Sequence, residues 1–183
     1  MAWTTPRTWT AGETVTAALM NTHVRDNEAY LYAIANNFAP VPACRVYHDA
    51  NQTIPNANLT VLSFNKERFD TDTIHDTSTN NSRLTCKTAG IYLIEGGVSF
   101  NTNGEHDVAL NVLLNGATNI KQVRYRAVLA GLTKIDIGTT IYSLAVNDYV
   151  ELQAFQDSGG AINAVAETNN APVFSMAYLG KAA

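Results

Sequence analysis

The sequence is poor in several things that would identify a function quickly. Its 183 residues hold two cysteines, Cys44 and Cys86, too few for a disulfide framework. They read as two buried thiols in strands, with a Cys44–Cys86 bridge as the alternative. Charged residues make up 15% of the chain, against ~25% in an ordinary globular protein. Lys and Arg nowhere gather into a patch, and the net charge is −4. Electrostatic capture of nucleic acid or of an anionic membrane is therefore not expected. No stretch approaches the ~20 consecutive apolar residues that span a bilayer. The opening Met1-Ala2-Trp3-Thr4-Thr5-Pro6 lacks the basic start and apolar run of an export signal, so the expectation is a protein made in a cytoplasm and not exported.

Motifs for chemistry are equally scarce. There is no Gly-x-Ser-x-Gly, no His-Glu-x-x-His and no phosphate-binding glycine loop. Three His-Asp pairs occur, His48-Asp49, His75-Asp76 and His106-Asp107. Adjacent residues on a strand point to opposite faces, so none of these can act as a dyad within a strand. No catalytic residue and no cofactor is implied, and an enzyme is not expected. Calcium is a weak candidate ligand, because Asp70, Asp72 and Asp76 cluster in a Thr- and Asn-rich loop. A polar loop without a metal accounts for the same three residues.

What is present divides near Pro40-Val41-Pro42 into an N-terminal segment, 1–40, and a larger domain, 41–183. Residues 14–38 read as a helix, free of Pro and Gly, with Gly12-Glu13-Thr14 as its N-terminal signal. Met20, Val24, Asn27, Leu31, Ile34 and Phe38 follow one another at spacings of 4, 3, 4, 3 and 4, a heptad seam suited to association with copies of itself. Asn27 would set register there. An amphipathic helix lying on its own domain is the alternative. Beyond the prolines only strands are predicted, at 44–48, 59–64, 83–86, 91–100, 108–114, 120–128, 134–144, 149–155 and 172–179. Asn103-Gly104, Asn115-Gly116, Ala130-Gly131, Asn147-Asp148 and Ser158-Gly159-Gly160 supply the turns. Many short strands without intervening helices make an all-β sandwich or jelly roll behind a helical stem. Tyr125, Tyr142, Tyr149 and Phe155 could pack in its core or at a subunit axis.

Four pieces of the β region carry a resemblance. They are Phe69-Asp70, then Arg83-Leu84-Thr85-Cys86 through Gly90-Ile91-Tyr92, then Leu144 to Leu152 with its Asn147-Asp148 turn, and last Phe174 to Gly180. In that order they resemble the globular head of complement component 1q and its tumour-necrosis-factor-like relatives, over residues 43–181. The resemblance implies a jelly roll of about ten strands that assembles as a homotrimer. It departs from the family at Asn147, where Gly is usual, and a helix stands where the complement proteins have a collagen-like stalk.

The N-terminal arm is similar to the start of tailed-bacteriophage structural proteins, through Gly12-Glu13, Asn21 and Val24-Arg25-Asp26-Asn27 behind Trp3 and Trp9. That similarity implies a virion protein, either a head fibre or decoration protein or a tail-fibre tip. Trp3, Trp9 and Glu13 would attach it to phage capsid or tail proteins, while the head meets a host glycan or protein. A soluble lectin-like or adhesin module of cellular origin is the alternative; it requires an export route.

Overall fold

The structure, a computed structural model, describes residues 4–36, 41–167 and 169–182. The chain forms two compact units, Met1–Ala39 and Pro40–Ala183. In the first, α1 (Ala17–Met20) and α2 (Asp26–Asn36) are joined by a π-helical turn, Asn21–Arg25. The helix begins three residues later than 14, because Thr16 caps it: its Oγ1 accepts the Leu19 N–H at 3.3 Å. Glu13 is spent elsewhere, on Arg7 and the Thr10 amide.

The second unit carries thirteen strands among the described residues. They are β1 (Ala43–Tyr47), β2 (Gln52–Ile54), β3 (Thr60–Val61), β4 (Lys66–Asp70), β5 (Arg83–Thr85), β6 (Gly90–Asn103) and β7 (His106–Leu114). There follow β8 (Thr118–Ala127), β9 (Ala130–Asp136), β10 (Thr140–Leu144), β11 (Tyr149–Gln156), β12 (Ile162–Ala164) and β13 (Val173–Gly180). The larger sheet runs β2-β12-β6-β13-β1-β4, with β9 and β10 both paired to the remaining edge of β6. The smaller sheet runs β3-β11-β7-β8, with β5 also on β11. All pairings are antiparallel, and the two sheets form a jelly-roll sandwich.

The expected alternation holds where one face of a strand is wet. In β11, Val150, Leu152 and Ala154 are fully buried and face the core, while Tyr149, Gln153 and Phe155 face out. Asn115 and Gly116 both take left-handed backbone, as a tight hairpin turn demands, and Asn147 does the same in its turn. Three short strands were absent from the sequence-based expectation. β4 is an edge strand whose first four residues are all exposed, so it has no alternation to read. The expected strand 134–144 is two strands, broken where Gly138 adopts φ +67°. Gly131 lies inside β9, and the turn expected there sits at Val128-Leu129 instead.

The sheets meet over Tyr92, Phe64, Phe100 and Phe174, all fully buried, with Phe64 and Phe174 stacked at 5.8 Å. Cys44 and Cys86 are free thiols in this core. Tyr92 donates its hydroxyl to Thr88 O at 2.6 Å and meets Tyr178 edge-on at 5.5 Å. Gly90 serves that packing and not a turn. A Cβ on it would overlap the Tyr178 ring and the Gly180 carbonyl. Gly96 has a similar reason: an added Cβ would press on Leu152 of the opposite sheet and on Phe174, both at 3.0 Å.

Overpacking at such a position costs about 1–3 kcal/mol. Gly90→Ala is expected to lower the unfolding free energy by that amount in a urea titration. Gly160→Ala, where an added Cβ meets nothing, should stay within about 0.5 kcal/mol of the parent. Equal losses from both would refute the packing role of Gly90.

Candidate functional site

Side-chain alternation places two residue sets on the outward face of the larger sheet. Where Tyr92 and Ile94 of β6 point into the core, Ile91, Leu93 and Glu95 point away from it. Strand register then aligns Ala43, Ala177, Leu93 and Ile141 in one row across β1, β13, β6 and β10. Ile141 is 61% exposed, and Leu179 and Val41 near the same end are more than half exposed. Above this apolar row runs a polar one, Arg45, Ser175 and Glu95. Gly97 and Asp136 pair in the next row, beside Val173. The small residues there leave a hollow of about 350 Å³. Half-buried and exposed aliphatic groups in register, next to charges that are unpaired or only weakly paired, suit this face to a protein partner.

The histidines of the three His-Asp pairs have separate surroundings. Among the described contacts, none of the three is hydrogen-bonded to the aspartate that follows it. The buried His75 ring meets Glu67 Oε1 at 2.9 Å through Nδ1 and the Asn81 carbonyl at 3.2 Å through Nε2. It ties β4 to the loop before β5. His106 is buried with neither ring nitrogen hydrogen-bonded, and His48 Nδ1 is in the same state. Burial, with Asp70 and Glu67 nearby, pushes the Cys44 thiol well above its ordinary range, which suppresses the nucleophilic thiolate.

Asp70, Asp72 and Asp76 are engaged separately. Asp70 accepts the amides of Asp72 at 3.0 Å and His75 at 2.8 Å. Asp72 accepts the Thr88 hydroxyl at 3.0 Å, and Asp76 accepts the Ser78 and Thr79 amides at 2.9 Å each. No group of three acidic, His or Cys side chains able to hold a metal ion occurs among the described residues. The three aspartates are loop-closing acceptors. Of the four aromatics weighed for an axis, Tyr142 packs against the core. Tyr149 and Phe155 lie on the outer face of the smaller sheet under Arg83 and Arg124, and Tyr125 is 54% exposed on β8. None lies on the outward face of the larger sheet.

In the N-terminal unit, Trp9 is 40% exposed, with the Arg7 guanidinium 4.7 Å over its ring and His23 edge-on at 6.4 Å. Asn27 is buried and bound to the arm of its own chain. Its Oδ1 accepts the Thr4 N–H and its Nδ2 donates to Thr4 O, both at 2.9 Å. Within the chain its amide therefore holds the arm, at the position that the heptad reading expects at a seam. Met20 and Leu31 are exposed, and Val24 is half-buried. Trp3, Phe38 and the side chain of Ile34 lie outside the described residues.

Asn27→Ala should free the arm, raising exchange of the Thr4 amide about tenfold or more by NMR. Unchanged exchange would mean that the pair does not hold it. Two backbone amides and the Ser78 hydroxyl hold the Asp76 carboxylate down at about 2. A depressed folded value means that its contribution is complete above the ordinary carboxylate range near ~4 and is lost as pH falls toward about 2. The Asp76 carboxyl signal should titrate near 2, and the thermal penalty of Asp76→Ala should shrink across that window. An ordinary midpoint near ~4 would contradict the loop geometry.

No protein-family profile matches the chain, and no curated protein matches its sequence. Solved structures do match its fold. The globular domain of zebrafish complement 1qA protein is 15% identical with a TM-score of 0.50, over 77% of this chain and 99% of its own. Eiger TNF from S. frugiperda is 9% identical with a TM-score of 0.61, over 79% and 96%. Murine APRIL is 9% identical with a TM-score of 0.59, over 76% and 99%. At these identities the shared property is the fold, and the head is a jelly roll of the kind found in complement 1q and tumour-necrosis-factor-like proteins.

Proposed function

We propose that this protein is a homotrimeric structural protein of a tailed-bacteriophage virion. It is a head-fibre or decoration protein or a tail-fibre tip, held by its N-terminal arm and displaying the β head for adhesion or capsid stabilisation. The observation that carries the trimer is the apolar row Ala43–Ala177–Leu93–Ile141 on the outward face of the larger sheet. A chain with 15% charged residues has little charge to keep such a face solvated. Covering it with copies of itself removes the exposure. Three heads on one assembly then convert weak single contacts into strong attachment.

Support for the virion is the likeness of the arm to phage structural proteins, together with what the arm is built of. Trp9 presents aromatic surface on a short segment braced by the Arg7–Glu13 ion pair. A partly exposed, rigidly held aromatic makes a good docking anchor. Trp3 would act with it. No enzymatic step is proposed for the head.

Light scattering of the full-length protein at micromolar concentration should give three times the 19.8 kDa chain mass. A monomer would sink the trimer. Particles purified from a lysate of the strain that encodes the chain should contain it by mass spectrometry. Trp9→Ala and Glu13→Ala should reduce that incorporation severalfold while leaving the trimer intact. A protein absent from every particle fraction would instead support the soluble, cellular alternative.

A further inference from the structure

We propose that Arg45 of one copy forms an ion pair with Glu95 and Asp136 of the next copy, fixing the register of the trimer; the inference rests on the self-association proposed above. Arg45 lies on β1 and is exposed, and among the described residues it has no ion-pair or hydrogen-bond partner. Glu95 lies two strands away in the same row, across Ser175. At about 4.8 Å per strand, their backbones stand roughly 10 Å apart. Glu95 takes only the Thr139 hydroxyl, at 2.6 Å, and forms no ion pair among the described residues. Asp136, reached through Gly97, has Lys134 at 3.7 Å, a pair more than half exposed and therefore weak. The hollow between them is lined by Arg45, Glu95, Gly97, Lys134, Asp136 and Ser175. It is open enough to admit side chains from a neighbour.

The sheet is thus polarised from side to side. On the β1–β4 side stand Arg45 and Arg68, the latter stacked 4.2 Å over Tyr47. On the β6–β9 side stand Glu95 and Asp136, with Lys134 beside Asp136, so that side keeps a net negative charge. Contacts in a closed three-fold ring are heterologous, so one patch meets a different patch on the next copy. A sheet turned toward the axis brings the β1 side of one copy to the β9 side of its neighbour. The charges are complementary in that arrangement, and all three interfaces are satisfied alike. The neighbouring apolar row, Ala43–Ala177–Leu93–Ile141, excludes water from the pair and strengthens it.

The test is the concentration at which half the full-length chain is assembled, read by light scattering and sedimentation. Arg45→Glu and Glu95→Arg should each raise it by about tenfold or more, and the double variant Arg45→Glu/Glu95→Arg should return it to within about threefold of the parent. Arg45→Gln and Glu95→Gln, which keep size and fold, should weaken assembly in the same direction. A parent trimer with unaffected single variants, or a double variant no better than the singles, would overturn the ion pair and leave the trimer standing. A parent that is monomeric or dimeric would overturn the trimer itself.

Discussion

The constraint on which the rest of the structure depends is the side-chain alternation of one long strand, β6. Its fourteen residues are hydrogen-bonded to β13 and β12 on one side and to β9 and β10 on the other. Tyr92, Ile94, Val98 and Phe100 enter the core as a consequence, and Ile91, Leu93 and Glu95 are turned out. A slip of one residue would exchange the two sets. It would also move Gly90 from under Tyr178 and Gly96 from under Leu152, where only a hydrogen fits without strain. The glycines therefore lock the register that the hydrophobic pattern prefers.

That strand also explains why the outer face is unusual. Ile91-Tyr92-Leu93-Ile94 is a continuous apolar run, the pattern of a strand buried on both faces. In the single chain only one of those faces has a sheet over it. The surplus on the other face continues across the sheet through Ala43, Ala177 and Ile141, on strands far apart in sequence. Four strands contributing small or aliphatic residues at one level are a consistent feature of the surface and not scattered exposure. The proposed three-fold assembly uses this surplus, and in it Arg45, Glu95 and Asp136 beside the row would specify which side meets which.

The sequence carried the fold class because it depends on local signals. Alternation marked β7 and β11, and Asn115-Gly116 and Asn147-Asp148 marked turns whose backbone only such residues adopt readily. β4 was not legible, since its edge position removes the need for alternation. The break at Gly138 was missed because β-branched residues, Ile137 before it and Thr139-Thr140-Ile141 after it, flank it on both sides and both halves pair with β6. The candidate surface was hidden for a different reason. It is a row across strands, and rows depend on register, which no single segment encodes. The apolar run at 91–94 was the one local hint of it.

The N-terminal unit shows the opposite case, a local pattern on which contacts within the chain also draw. Spacing alone marked Met20 to Phe38 as a seam with Asn27 at its polar position. The π turn at Asn21–Arg25, where the Asp26 amide reaches back to Asn21 O, adds roughly one residue to a turn. That is about 100° of rotation between Met20 and Leu31, enough to part the two ends of a stripe. Asn27 then spends its amide on the Thr4 backbone and holds the arm against the helix of the same chain. A helical segment this short is marginal as a coiled coil even with an unbroken seam. In the proposed assembly the favourable contacts therefore come from the β head, where the aliphatic row and the charges beside it share one sheet, and the arm's proposed part is to present Trp9.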